Sequence, residues 1–356
     1  MLFSNGRMGC AAIYLCPAPE TGAWVTRAYD LGMSEPAEFL HRLSPQTRQI
    51  LQHMQRASHA PMHSLPPHAA RAFYEKAAGI LDIRKVTMQR DERLDIPTRD
   101  GAVIHAKLWA PSTEKLPVLV YFHGGGFTIG SSATHEPLCR RLAELAHCAV
   151  ISVDYRLAPE HRFPTAVYDA WDALAFVRAQ SSALGLDPAR IAVGGDSAGG
   201  TLAAVSALHA RDQQWPLSLQ LLFYPGTTAH QDTGSHRTFE RGLVLGESVI
   251  SYFFEQYIPL RSQRSDWRFA PLLAEDHAGV APAWVGLAEI DPLVDEGVAY
   301  ADTLRMAQVP VDLEIYAGVV HGFIQWGRAI PEALQCHQDA AAALRKAWGT
   351  EVSAPG

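Results

Sequence analysis

The chain has 356 residues, 48% of them hydrophobic and 19% charged, with a formal net charge of −7. This is the balance of a folded protein with a large core, and the lack of any sustained basic run excludes nucleic acid and anionic membrane surfaces as expected partners. No apolar run approaches the roughly 20 residues that span a bilayer, so stable membrane insertion is not expected either.

Near the N-terminus, Arg7, a short apolar patch from Cys10 to Cys16 and then Pro17-Ala18-Pro19 have the outline of a signal peptide. The patch sits at the lower limit for such a segment and carries one positive charge before it, so an untargeted, cytoplasmic protein is expected. Residues 1–35 read as a poorly ordered extension. The five cysteines (Cys10, Cys16, Cys139, Cys148 and Cys336) are odd in number and show neither C-x-x-C nor zinc-ligand spacing. They read as buried or free thiols in a reducing compartment.

Residues 36–90 are patterned as helices. Ser44 before Pro45 gives a cap and a first-turn proline, starting a helix that runs toward Met54. A second helix is expected over Pro67 to Ala78, with Ala70, Phe73, Tyr74 and Ala77 on one face. Two amphipathic helices ahead of the first strand read as a cap or as a plain helical arm. The pattern then becomes β-like: Arg93 to Pro97 and Ala102 to Trp109, joined through Asp100-Gly101, predict a hairpin. From there strands and helices alternate. Strands are expected at Leu116–Phe122, Ala149–Val153, Arg190–Val193 and Leu217–Phe223. Helices are expected at Glu136–Ala146 and Thr165–Gln180, and from Thr201 onward.

Between about 229 and 270 the alternation stops in favour of an aromatic-rich stretch with Phe239, Tyr252, Phe253, Phe254, Tyr257, Trp267 and Phe269. It reads either as an insertion over the sheet edge or as an ordinary helix burying its aromatic side. Alternation resumes with a strand at Ala283–Ala288, a helix over Asp295–Ala307, a strand at Val311–Tyr316 and a terminal helix over Pro331–Trp348. The expected architecture is α/β, a mostly parallel sheet covered by helices on both faces. A core over residues 91–348 carries the 229–270 insertion and ends in a tail over 349–356.

The stretch Gly195-Asp196-Ser197-Ala198-Gly199 falls between an apolar strand and a small-residue helix. A sharp turn there would project the serine hydroxyl, which makes Ser197 the candidate nucleophile. A serine needs a base within hydrogen-bond reach. Of the 16 histidines, His321 stands out because it occupies the loop between the last strand and the last helix. The acid that orients it is Asp291, with Glu289 and Asp295 as rivals; Asp295 also reads as the cap of the following helix. The run His123-Gly124-Gly125-Gly126-Phe127 follows a strand and can turn backbone amides toward a developing oxyanion, with the amide of Ala198 as a further donor. Asp196 reads as a brace of the loop, because neighbouring side chains on a tight turn diverge.

Together with Asp154-Tyr155-Arg156-Leu157-Ala158-Pro159-Glu160, Asp291-Pro292-Leu293 and His321-Gly322-Phe323, these motifs closely resemble the bacterial hormone-sensitive-lipase-like carboxylesterases. The likeness extends over residues 36–348. It implies an α/β-hydrolase core under a helical cap, with Ser197, His321 and Asp291 as nucleophile, base and acid. It also implies the amides of Gly124, Gly125 and Ala198 as the oxyanion hole. Asp154, Arg156 and Glu160 are expected to form a structural network bracing that hole, with Tyr155 and His161 at the pocket edge. Phe127, Tyr224, Phe253 and Phe254 are the candidate pocket residues, and the resemblance implies a small-molecule ester of short to medium acyl length. The chemistry needs no metal or organic cofactor. An amidase, thioesterase or lactonase would use the same triad, a triglyceride lipase would add an exposed apolar cap, and a fold that has lost turnover would merely bind ligand. The sequence leaves both monomer and homodimer open.

Overall fold

The computed structural model describes residues 38–350, apart from Ser58 and Gly242. Residues from His41 onward form one compact unit; Met1–Leu40 form the other, described only at its last three positions. The expected extension over 1–35, Cys10, Cys16 and residues 351–356 lie outside the described residues.

Alternating burial marks the first strands, β1 (Arg90–Pro97) and β2 (Val103–Ala110), which pair antiparallel through the turn at Thr98–Gly101. β3 (Leu116–Phe122) is buried at every position, as a strand covered on both faces must be. It is followed by β4 (Ala149–Asp154), β5 (Leu186–Asp196), β6 (Gln220–Phe223), β7 (Ala283–Ile290) and β8 (Val311–Val320). The sheet order is β1-β2-β4-β3-β5-β6-β7-β8, with β2 antiparallel to β4 and every later pairing parallel. Leu119, Val120, Tyr121, Phe122, Val193 and Leu221 are wholly buried at its centre. Removing each such side chain from water contributes roughly 1.5–3 kcal/mol.

The helices are α1 (Pro45–Arg56), α2 (Pro67–Ala78), α3 (Glu136–Ala146), α4 (Thr165–Gln180), α5 (Ala198–Asp212), α6 (Gly234–Thr238), α7 (Glu247–Tyr257), α8 (Val294–Met306) and α9 (Pro331–Trp348). Ser44 caps α1 by accepting from the Thr47 amide at 3.2 Å, and Pro45 takes the first helical position, where its missing N–H costs nothing. α5 is buried nearly all round, in keeping with its run of alanine, glycine and leucine. In the 229–270 stretch, α7 buries Tyr252, Phe253 and Tyr257. Tyr252 and Phe253 share a cluster with Ala70 of α2 and Ile129, against which Met62, Leu65 and Tyr74 also pack. Within the stretch, α7 buries most of its aromatic side, and what it packs on includes α2.

Several boundaries differ from expectation by a few residues, β5 (Leu186–Asp196) and α5 (Ala198–Asp212) starting early and β6 (Gln220–Phe223) late among them, and two differ for clear local reasons. β8 continues four residues past Tyr316, because the Gly318 amide donates to Glu289 Oε2 at 2.8 Å and its carbonyl accepts from Ser44, which holds the chain in register beyond the glycine. α8 begins at Val294, so Asp295 is inside the first turn rather than capping it; its carboxylate accepts the Ser235 amide at 2.7 Å instead. Cys139, Cys148 and Cys336 are buried free thiols. Among the described residues no helix is long and apolar enough to cross a membrane.

What the fold supplies is a common edge. Phe122 of β3 stands opposite Gly195 of β5, Asp196 opposite Phe223 of β6, and Ile290 of β7 opposite Val320 of β8. The loops leaving these strands carry His123–Phe127, Ser197, Tyr224, Asp291 and His321 to one side of the sheet, the carboxyl edge at which open α/β sheets hold their ligands.

Candidate active site

The turn from β5 into α5 forces Ser197 to φ +54°, a region that disfavours any side chain but fixes this one outward. The Ser197 amide donates to the Phe223 carbonyl at 2.9 Å, and its own carbonyl receives the Thr201 amide at 3.0 Å, so both ends of the elbow are held by backbone bonds. Glycine at 199 is obligatory for a plain reason: a methyl there would overlap the Phe122 and His123 carbonyls.

His321 Nε2 lies 2.9 Å from Ser197 Oγ, and His321 Nδ1 lies 2.7 Å from Asp291 Oδ2. The other carboxylate oxygen of Asp291 accepts the Leu293 amide at 2.9 Å, and the residue is fully buried. An ionised carboxylate can only accept, so Nδ1 carries the proton and Nε2 is left free to receive one from Ser197. Of the rival acids, Glu289 pairs with Arg42 at 2.6 Å and binds the Gly318 amide, while Asp295 is taken by Ser235. Neither is bonded to His321. The Tyr224 ring packs at 4.5 Å from the imidazole, and burial pushes its phenol far above the usual tyrosine range.

The glycine loop requires a correction. Gly124 was expected to donate to the oxyanion, but its amide donates to Asp196 Oδ1 at 3.0 Å, alongside the Tyr121 hydroxyl at 2.7 Å. A donor committed to a buried carboxylate is not free for substrate. The amides of Gly125, Gly126 and Ala198 have no protein acceptor among the described residues, and Ala198 is the first residue of α5, where the helix leaves its N–H groups exposed. Gly126, for which the motif alone suggests no separate role, has φ +58° and lies against the Phe253 ring, which a methyl would strike.

The loop is braced from several sides. Thr128 and Ile129 amides donate to the Gly125 carbonyl, both at 3.0 Å, and the Ala158 amide donates to the Phe127 carbonyl at 2.8 Å. Arg71 of α2 donates to the carbonyls of Thr128 at 2.8 Å and Ala158 at 2.7 Å while pairing with Glu160. Asp154 receives the Ser132 amide and hydroxyl, and Arg156 pairs with Asp169 and Asp100. The three charged residues of the Asp154–Glu160 stretch therefore act through separate partners, not through one another, and only Glu160, by way of Arg71, connects to the loop through Thr128. Tyr155 is buried, stacks on His123 at 4.3 Å and donates to the His123 carbonyl at 2.7 Å, so it supports the loop; His161 is exposed.

The four candidate pocket residues divide into two pairs. Phe253 covers Gly126, and Tyr224 packs on His321. Phe127 instead stacks on Tyr257 at 4.0 Å, and Phe254 meets Phe269 edge-on at 5.2 Å, both within an aromatic cluster that includes Phe163. The positive φ of Phe127, +58°, goes with this inward placement. Among the described residues no group of three or more His, Cys, Asp or Glu side chains is arranged to hold a metal ion.

Residues 119–325 match the family defined by the alpha/beta hydrolase fold. An ethyl acetate hydrolase of Pseudomonas putida is 39% identical over 279 residues, covering 77% of this chain and 88% of that protein. Carboxylesterase NlhH of Mycobacterium tuberculosis is 40% identical over 272 residues, 75% of this chain and 83% of its own length. Among solved structures, the hyperthermophilic esterase from the archaeon Pyrobaculum calidifontis superposes with a TM-score of 0.81 at 38% identity, covering 85% of this chain and 98% of that one. The ester hydrolase EH1AB1 from the metagenome of Lake Arreo gives 0.83 at 37% identity, with 86% and 100% covered. With the fold, its motifs and these relatives in agreement, the chain belongs to the α/β-hydrolase family, among the hormone-sensitive-lipase-like carboxylic ester hydrolases.

Proposed function

We propose that this ester hydrolase cleaves small carboxylic esters of short to medium acyl length by two-step acyl transfer through Ser197. The observation that carries the proposal is the continuous relay from Ser197 Oγ through His321 to Asp291, with separations of 2.9 and 2.7 Å, assembled from three separate loops. In the first step Ser197 Oγ bonds to the ester carbonyl carbon as Nε2 of His321 takes its proton. The carbonyl oxygen becomes an oxyanion facing the amides of Gly125, Gly126 and Ala198, which have no protein acceptor to give up among the described residues. The imidazolium, balanced by Asp291, then passes its proton to the leaving alcohol as the carbon–oxygen bond breaks. Water, deprotonated by the same nitrogen, repeats the sequence on the acyl-enzyme and frees the acid.

A helical cap formed by α1, α2 and residues 229–270 is the proposed cover, supported by the cluster that joins Ala70 to Tyr252 and Phe253. Phe253, lying on Gly126, would then bound the acyl side. The unpaired thiols of Cys139, Cys148 and Cys336 suit the reducing cytoplasm, the compartment proposed for it. Hydrolysis of p-nitrophenyl esters from acetyl to palmitoyl tests the substrate class. The expected profile peaks at or below about eight carbons, because a pocket walled by aromatic side chains holds a limited apolar volume. A maximum at palmitoyl, rising above substrate solubility, would replace this reading with that of a lipase.

A further inference from the structure

Behind the glycine loop lies a side chain that the acyl-transfer scheme does not use. His135 sits at the N-cap of α3, wholly buried, with Nε2 at 3.3 Å from Asp196 Oδ2. Its Nδ1 lies 2.9 Å from Thr134 Oγ1, and that hydroxyl donates its own proton to the Ser131 carbonyl at 2.9 Å. With its proton on Ser131 the hydroxyl accepts from Nδ1, as the carboxylate on the other side accepts from Nε2. In that arrangement each ring nitrogen faces an acceptor, which favours a doubly protonated ring, in line with the upward shift that Asp196 imposes on it. An imidazolium at a helix N-terminus runs against the helix dipole, and the buried carboxylate of Asp196 is what offsets it.

We propose that His135 is a positioning residue for ester hydrolysis: as a buried cation it holds Asp196 ionised and in place, and Asp196 in turn holds the Gly124 amide and so the oxyanion loop. The inference rests on the acyl-transfer reading of Ser197. Its chain of contacts is short: His135 Nε2 to Asp196 Oδ2, Asp196 Oδ1 to the Gly124 amide, and Gly124 directly before the two amides proposed to meet the oxyanion. Tyr121 supplies the remaining bond to Asp196. Tyr74 of α2 supports the far side, donating to Gln325, whose amide donates to the Thr134 carbonyl at 3.1 Å.

The charged and titratable groups around the ring agree with a resident cation. Asp196 at the end of β5 faces it with negative charge and holds the ring above the usual histidine range against its burial, and Asp82 after α2, its own carboxyl pushed up to about 7 by burial, adds to this where ionised. Tyr121 of β3 packs at 6.4 Å, its phenol pushed far up by burial and so neutral. His123 packs at 5.6 Å; burial and the charge on His135 push it down to about 4, so it stays neutral and donates Nδ1–H to the Gly124 carbonyl at 2.8 Å. On its own helix, Glu136 is engaged by Arg140 and Lys85. A group held above its ordinary value keeps its charge below the shifted value and loses it as pH rises through that value. The positioning therefore fails on the alkaline side.

The test is His135→Gln, which keeps an N–H for Asp196 but can neither carry nor lose the charge. Rates are normalised to active sites titrated with a phosphonate. The expected result is a kcat lower by about 10- to 100-fold with KM nearly unchanged, the range for groups that orient catalytic ones. Affinity for a trifluoromethyl ketone, whose adduct carries the oxyanion, should fall by the same factor, and the alkaline limb of kcat should disappear. Wild-type kcat, ketone affinity and alkaline limb would overturn the proposal, as would a loss confined to the number of titratable sites. Should the variant not fold, ¹⁵N-histidine spectra of the wild-type chain decide: both His135 nitrogens protonated at neutral pH supports the proposal, and a neutral ring ends it. Turnover retained in Ser197→Ala would strike the acyl-transfer reading instead, and is measured independently.

Discussion

Replacing Ser197 by alanine is expected to leave a folded protein whose kcat for ester hydrolysis is lower by about 10⁴-fold or more, the scale on which nucleophile knockouts fall. The hydroxyl is the only group that the proposed first step bonds to substrate, and its proton is the one His321 is placed to receive at 2.9 Å. Folding should survive because the elbow is held by backbone bonds to Phe223 and Thr201, which an alanine keeps. The φ of +54° is no worse for alanine than for serine. Circular dichroism with a thermal scan checks the fold, and p-nitrophenyl acetate turnover checks the rate. A folded variant within tenfold of wild type would remove Ser197 from its role.

The Asp291→Asn variant should be nearly as damaging, with kcat reduced by about 10⁴-fold at neutral pH, because an amide in that place favours the wrong imidazole tautomer. Asp291 is fully buried, with one oxygen on His321 and the other on the Leu293 amide. Asparagine can preserve the bond from Leu293 only by turning its NH₂ toward Nδ1. That nitrogen must then accept, which moves the ring proton to Nε2 and leaves no base for Ser197. Asp295→Asn and Glu289→Gln serve as controls. Their carboxylates hold Ser235, and Arg42 with Gly318, so each should keep kcat within about tenfold of wild type while losing some stability, on the order of 1–3 kcal/mol for a lost partner of a charged bond. Should Asp295→Asn prove the more damaging of the two aspartate variants, the role of acid passes to it.

The sequence made the fold legible because its signals were local and mutually consistent. Period-two burial gave the hairpin, unbroken apolar runs gave β3 and β4, and Ser44-Pro45 marked where α1 begins. The relay residues were readable for a similar reason, since each follows a strand and the parallel order of the sheet brings those loops to one edge. What resisted reading depends on which partner a group finds across the fold. The glycine run at 124–126 has one composition but two fates, and Gly124 is set apart from Gly125 and Gly126 only by the carboxylate of Asp196, 72 positions away. His135 gave no sign in the sequence, because its significance lies in its contact with Asp196, 61 positions away. Phe127 and Phe254 had the right chemistry for a pocket, yet their rings found partners in Tyr257 and Phe269. Asp295 looked like a cap because it stands close to a helix start, and a shift of one residue at Val294 gave its carboxylate to α6 instead.

The central claim, that Ser197 becomes acylated through His321, is tested most directly by mass spectrometry of the intact chain and its peptides after a fluorophosphonate reacts with the folded protein. The account predicts one adduct, on the peptide containing Ser197, formed at neutral pH, abolished in Ser197→Ala and slowed by orders of magnitude in His321→Ala. An unlabelled Ser197 in a preparation that hydrolyses esters, or an adduct on another residue that tracks the activity, would contradict it.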